Sequence, residues 1–391
     1  MFKKLCFLSI IFMCLYFILI CIVPLLLNNN TSLIISLNRY FFVYSADNIE
    51  ISAQKAVLLD LKSRQVLYDK HMDIKSFPAS LTKVLTTIVA IEEGKLDDIV
   101  TVSKRAAYQE GSSIYLKAGE KIKLKELLYG IMLASGNDAS IAVAEYISGS
   151  VEEFAKLLNK KAIKMGAIDS NFVNPSGLPD PDHYSTAYDI AMIMCYAMKN
   201  RVFRDITKTK YKTISWAGND WGRGLRNHNK LLWSYDDIIG GKTGYTKAAG
   251  RCLLSTSAKN KRELVAVVLN APDDWLDMRK LLDYGYDNFK YKMIYAKNEN
   301  VYNLKWENSL EGNLGLLTIK KIRLLIPKNG RLKFKKEILI KEGLTLPIKK
   351  GEYVGDLKIS NDRFIVKTKL IAENDLNFKS IFLRLWNRII N

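Results

Sequence analysis

Phe77-Pro78-Ala79-Ser80-Leu81-Thr82-Lys83 opens an apolar stretch that continues through Val84, Leu85, Ile88, Val89 and Ile91 to Gly94. The spacing predicts a helix from Ser80 to Gly94, with the glycine as its stop. Ser80 and Lys83 then lie three apart on one face, a hydroxyl with an amine one turn above it. Taken alone, the pair also fits a capping serine and a solvated lysine. Two further short motifs follow in order, Ser135-Gly136-Asn137 and Lys242-Thr243-Gly244. The trio reads as an acyl-transfer site without a catalytic histidine.

Around this helix the patterns alternate. Ala56-Val57-Leu58-Leu59 and Gln65-Val66-Leu67-Tyr68 flank the turn Lys62-Ser63-Arg64 and predict a hairpin. Helical spacing covers 124–132, 140–147, 154–164 and 186–198, and Asn174-Pro175-Ser176-Gly177-Leu178-Pro179 is a turn cluster. Ile238-Ile239, Arg251 to Ser257 and Leu264 to Leu269 read as strands, and Trp275 to Phe289 as a helix. Early strands, a helical middle and late strands imply an α/β domain whose mainly antiparallel sheet is built from both ends. Beyond about Lys290, short strands at 316–319, 322–326, 338–340 and 364–366 predict a small all-β module.

The chain has 391 residues, room for two domains. Its 59 Lys and Arg against 40 Asp and Glu leave a formal charge of +19. Such a surface attracts an anionic membrane face or an anionic wall polymer. No zinc-finger spacing and no basic stripe with stacking aromatics appear, so no nucleic acid partner is expected. Lys3 and Lys4 precede an apolar run from Leu5 to Leu27, long enough to cross a bilayer. Val43-Tyr44-Ser45-Ala46 suits a signal peptidase, so both a long signal peptide and an uncleaved anchor fit residues 1–46. At the other end, Phe378, Phe382, Leu385, Trp386 and Ile389 share one helical face. That face predicts an amphipathic membrane-associating helix over 376–391. Cys195 and Cys252 read as small buried core residues.

Ser80 is the expected nucleophile and Lys83 its base. That requires a neutral amine, hence a pKa lowered by burial or by a nearby cation such as Lys242. Ser135 and Asn137, two apart on a loop, face one way in extended geometry; the hydroxyl relays a proton and the amide holds substrate. Gly240 and Gly241 let a substrate backbone approach, Lys242 supplies charge, and Thr243 donates to a carboxylate. The stretch is not a phosphate loop, because Asp236 stands where the first glycine belongs. The backbone N–H groups of Ser80 and Tyr245 are candidate oxyanion donors beside Gly244. His71, His183 and His228 show no metal spacing, so neither metal nor cofactor is expected. His228 contacts the site or caps a turn.

These stretches, with Gly111-Ser112-Ser113, Leu133 to Ala139, Asn174 to Leu178, and Gly241 to Thr246 with Ala249-Gly250, resemble the low-molecular-mass penicillin-binding proteins, the serine-type D-alanyl-D-alanine carboxypeptidases. The resemblance spans Ala53 to Phe289. It implies a transpeptidase/β-lactamase-like α/β domain over 47–290 with a helical subdomain, a small β-sandwich over 291–375 near the membrane, and the C-terminal anchor. It also implies a peptidoglycan stem peptide ending in D-Ala-D-Ala as substrate, attacked by Ser80, and β-lactams as acylating inhibitors. Many relatives carry an arginine before the last helix that helps hold the terminal carboxylate; here the neighbourhood reads Asp273-Asp274-Trp275, with Arg279 further along. A serine β-lactamase shares the nucleophile but needs a carboxylate to activate water, and no Glu lies near Asn174-Pro175. A third reading is a non-catalytic wall-binding protein on the same fold.

Overall fold

The computed structural model describes residues 49–329, 334–361 and 364–379, together with the backbone of 34–39. The expected leader over 1–46 otherwise falls outside the described residues, as does the tail helix beyond 379. Among the described residues no helix is long and apolar enough to cross a membrane.

The hairpin forms as its sequence predicts: β2 (Lys55–Asp60) pairs antiparallel with β3 (Val66–Lys70). Three late strands complete the sheet: β4 (Ile238–Thr246), β5 (Gly250–Lys259) and β6 (Arg262–Leu269). The order is β3-β2-β6-β5-β4, antiparallel throughout. Alternation along these strands decides what covers each face. Val57, Leu59, Leu254, Val265 and Val267 join the core of the helical subdomain. Leu58, Leu253, Ala266 and Val268 turn to the other side, where Met278, Leu281 and Leu282 of α7 (Asp274–Asn288) cover them.

The helical part holds α1 (Thr82–Glu93), α2 (Leu124–Leu133), α3 (Asn137–Ser148), α4 (Val151–Met165), α5 (Ala187–Ala197) and α6 (Arg201–Lys208). Gly94 ends α1, and Ser150, Thr186 and Asn200 cap their helices through side-chain oxygens. Helix α3 begins at Asn137 rather than Ser140, because Gly136 serves as its N-cap and Asp138 places a carboxylate in the first turn.

From Phe289 the chain is all β: β7 (Phe289–Tyr295), β8 (Asn300–Lys305), β9 (Asn313–Thr318), β10 (Ile322–Pro327), β11 (Phe334–Ile340), β12 (Tyr353–Asn361) and β13 (Phe364–Ala372). One sheet runs β1-β11-β12-β13-β9-β8, where β1 (Ile34–Arg39) lies antiparallel along β11; β7 pairs with β10. Leu314, Leu316, Ile338, Leu357 and Ile359 fill a separate core. Buried Gln65 ties this region to the central sheet: its Nε2 donates to Leu325 O at 2.5 Å and its Oε1 accepts from Leu325 N at 3.0 Å. Tyr291 adds a hydroxyl donated to Asp60 Oδ2 at 2.8 Å.

Candidate active site

Three segments meet at Lys83, which is completely buried. Ala79–Leu81 forms a single 3-10 turn that leads into α1, so Ser80 stands at the helix entrance, half-buried, with Lys83 one turn on. Lys83 Nζ lies 3.0 Å from Ser80 Oγ, and it donates to Asn137 Oδ1 at 2.7 Å and to Ser176 O at 2.6 Å. Asn137 cannot turn its amide around, because its Nδ2 donates to Glu110 O at 2.7 Å. Both acceptors therefore demand an N–H from the amine. A neutral amine has two N–H groups and one lone pair. With both donors committed, the lone pair is left for the Ser80 hydroxyl proton.

Burial pushes the Lys83 pKa well below the ordinary amine value, the charge of Lys242 pushes it further down, and Asp138 opposes both. Lys242 is also buried, and burial alone lowers it to about 7. Its Nζ donates to Ser135 Oγ at 3.0 Å and to Thr243 O at 2.9 Å.

Ser135 and Asn137 both reach the cluster, but not as two residues of an extended loop. Ser135 takes a left-handed backbone (φ 63°), while Asn137 is the first residue of α3. The tight turn between two helices, not strand alternation, aims both side chains at the lysines. Ala79, immediately before the nucleophile, is likewise left-handed at φ 48°. Non-glycine residues in this region are strained, and such strain persists only where the surroundings enforce it.

Those surroundings are the turn cluster at 174–178. Asn174 Oδ1 accepts from Gly177 N at 2.7 Å and from Ser176 N at 3.1 Å, closing the turn. Thr86 on α1 donates to Pro175 O at 2.7 Å. Gly177 has φ +83°, and a Cβ there would sit 1.8 Å from Ala79 O. The loop thus presses on the residue before Ser80 while presenting Ser176 O to Lys83.

On the opposite wall, β4 runs beside the nucleophile: a Cβ on Gly244 would come within 3.1 Å of Ser80 N. The glycines at 240 and 241 do a different job from the one their sequence suggests. A Cβ at Gly240 would strike Thr207 and one at Gly241 the Leu254 carbonyl, so both are demanded by the protein's own packing. Thr243 and Tyr245 alternate with Lys242 and Gly244 and so lie on the other side of the strand; Tyr245 is exposed.

Asp138 and His183 support the site without having been legible as parts of it. The buried Asp138 carboxylate accepts from Ser113 Oγ (2.7 Å), Leu116 N (3.0 Å) and Ile114 N (3.1 Å), fixing the 111–116 loop against α3. Buried His183 takes Val173 N–H on Nδ1 and places Nε2 2.9 Å from Thr82 Oγ1; burial lowers it to about 4, so it stays neutral. Burial, then Lys242, lower His228, and its backbone N–H bonds Leu133 O at 3.0 Å. Cys195 and Cys252 are buried free thiols. Arg279 does not reach the cluster; it donates to Ser234 O at 2.9 Å. Asp274, in the stretch where relatives carry the arginine, instead approaches Arg251 at 3.9 Å, and Arg251 stands directly across the ladder from Tyr245.

The chain is similar to known proteins over most of its length. A family profile described as D-alanyl-D-alanine carboxypeptidase matches residues 42–273, and one described as the penicillin-binding protein 5 C-terminal domain matches 289–377. A D-alanyl-D-alanine carboxypeptidase of Bacillus subtilis, DacF, is 35% identical over 345 residues, covering 86% of this chain and 88% of its own. The solved penicillin-binding protein 5 of Haemophilus influenzae superposes with TM-score 0.71 at 28% identity, over 84% of this chain and 99% of that one. The solved D-alanyl-D-alanine carboxypeptidase of Mycobacterium tuberculosis gives TM-score 0.59 at 31% identity, over 63% and 96%.

Gly177→Ala is expected to destabilise the chain by about 4 kcal/mol, because the added methyl meets backbone and the φ is left-handed. Denaturant unfolding measures it; a loss below about 1 kcal/mol contradicts the tight seating of this loop on Ala79.

Proposed function

The chain belongs to the D-alanyl-D-alanine carboxypeptidase family, and we propose that it removes the terminal D-Ala of peptidoglycan stem pentapeptides through an acyl-enzyme on Ser80. It is a serine-type carboxypeptidase, a hydrolase. The observation that carries the mechanism is the buried Lys83 amine, with both donors committed and Ser80 Oγ 3.0 Å away.

Lys83 takes the Ser80 proton as Oγ bonds to the penultimate D-Ala carbonyl carbon. The N–H groups of Ser80 and Tyr245 receive the oxyanion. The carbon–nitrogen bond then breaks, and the Ser135 hydroxyl, whose oxygen accepts from Lys242, hands a proton to the departing amine and takes in return the one Lys83 had accepted, which leaves Lys83 neutral again. Water, deprotonated by Lys83, releases the shortened peptide. Asn137 holds the substrate backbone and Lys242 draws its terminal carboxylate, while Thr243 shares the other face of the sheet with Arg251. Arg251, held near Asp274, takes the part of the arginine that relatives carry before the last helix. β-Lactams present a strained amide to the same hydroxyl and acylate it. The basic surface, the apolar N-terminus and the amphipathic tail support a place at the extracytoplasmic face of the bacterial membrane.

The β-lactamase reading is weaker. The hydrogen-bond partners of the Lys83 amine are a hydroxyl, an amide oxygen and a backbone carbonyl. No carboxylate among the described residues takes part in that set, which favours a long-lived β-lactam adduct over rapid β-lactam turnover.

Ser80→Ala is expected to abolish D-Ala release from a pentapeptide and to lose the penicillin adduct that peptide mass locates on Ser80; release by the variant, or rapid penicillin turnover by the native chain, rejects the assignment. Catalysis needs Lys83 neutral and Lys242 cationic. The kcat/KM profile should therefore climb as Lys83 loses its proton and fall as Lys242 loses its own, with the alkaline limb near the Lys242 value of about 7. A profile still rising at pH 9 contradicts a cationic Lys242. Arg251→Ala should raise KM about tenfold and leave kcat within about twofold, since it removes only carboxylate binding; an unchanged KM excludes Arg251 from the substrate site.

A further inference from the structure

A cleft of about 480 Å³ opens where the turns of the central sheet meet the β domain, and it shares no residue with the Ser80 site. Lys62, Lys261, Lys320, Lys321, Arg323 and Lys367 line it. All six are exposed, and they come from both domains: the β2–β3 turn, the β5–β6 turn, the β9–β10 connection, β10 and β13. Their charges are hardly answered from within the protein. Among the described residues Lys62 alone of the six has a carboxylate in ion-pair range, Glu263 at 3.8 Å, which Arg204 already holds at 2.9 Å. The lining carboxylate, Asp60, is buried and occupied by Ser63 N, Ser63 Oγ and Tyr291 Oη at 2.7–2.8 Å.

Lys261 adds an independent sign that charge is wanted here. With Asn260 it forms the two-residue turn between β5 and β6, both in the left-handed region at φ 51° and 62°. The second position of such a turn favours glycine. A lysine there costs conformational strain and places a cation at the cleft.

We propose that this cleft binds a linear phosphodiester polyanion of the polyol-phosphate kind. One-signed charge in a concave site concentrates the field and the local density of anions. Five of the six cations are ammonium groups, point charges that suit a flexible chain whose phosphates hold no fixed orientation, whereas planar bidentate recognition favours arginine. Bases would need aromatic platforms, and the cleft's one aromatic ring, Tyr291, is half-buried with its hydroxyl committed to Asp60. A lipid bilayer presents a plane, which meets protruding cations more readily than recessed ones. Binding in this cleft holds the protein to a phosphate-bearing polymer while leaving Ser80 open, and it stands whether or not the proposed peptidase reaction is right.

The test uses the full chain in detergent and a fluorescent glycerol phosphate oligomer, followed by anisotropy over a salt series. The pair Lys320→Glu and Arg323→Glu is expected to weaken binding at least about tenfold and to flatten its salt dependence, as fewer counterions are released. The pair Lys160→Glu and Lys164→Glu, exposed on α4, is expected to change it less than about twofold, since charges beyond a Debye length are screened. The milder pair Lys320→Gln and Lys367→Gln, with an unchanged melting curve, is expected to lose about threefold and shows that folding is not the cause. Equal losses in the cleft and α4 pairs, or no loss in either cleft pair, overturn the proposal. So does binding confined to vesicles of phosphatidylglycerol and phosphatidylcholine with none to the oligomer, which assigns these cations to a membrane surface.

Discussion

Everything at this site depends on an amine that has been taken out of water and then given two obligatory acceptors. A buried ammonium is costly, and burial beside the Lys242 charge pushes the Lys83 pKa well below the ordinary amine value. Asn137 Oδ1 and Ser176 O fix how the remaining protons point. Direction matters as much as basicity. An amine free to rotate would share its contacts among several neighbours, whereas this one has a single partner left, the Ser80 hydroxyl.

The fold serves that constraint by converging three chain segments that are remote in sequence. The 3-10 turn Ala79–Leu81 supplies Ser80, and the first turn of α1 that follows it supplies Lys83. The first residue of α3 supplies Asn137, and Glu110 O prevents its amide from flipping. The Asn174 turn supplies a carbonyl and, through Gly177, bears on Ala79 at the foot of the nucleophile. Strained backbone at Ala79 and Ser135 is therefore confined to the places where helix and turn geometry must be overridden to aim a side chain.

Much of this was legible because the chemistry sits on regular elements. The Ser80 and Lys83 spacing on a helix, the β2–β3 hairpin and the late strands each follow from period alone, and the lowered Lys83 pKa follows from what a base must be. The misses share a physical origin. Asn137 reads as loop because Ser-Gly-Asn is ordinary turn chemistry, and the Gly136 and Asp138 helix-start signal competes with it. The glycines at 240 and 241 read as substrate clearance because their true neighbours, Thr207 and Leu254, are distant in sequence. Ser176 was invisible as a partner because it acts through a backbone carbonyl, which carries no side-chain signature. Strands β7, β8 and β12 lack the consecutive apolar run that marks β9, β10 and β11, and their polar–apolar alternation is the signal that could have found them.

Lys242 shows why the two lysines are not redundant. Equal burial would let either amine lose its proton, and two neutral amines would leave nothing to attract an anionic peptide terminus. Their partners separate them. Lys83 faces two fixed acceptors and a hydroxyl that must be deprotonated, so neutrality suits its full set of contacts. Lys242 faces a hydroxyl oxygen and a carbonyl oxygen, both of which accept and neither of which needs a base. These partners favour the proton on Lys242, whose charge in turn pushes the Lys83 pKa down. An arriving carboxylate deepens this division, because it stabilises the cation it meets and leaves the base beside Ser80 free to act.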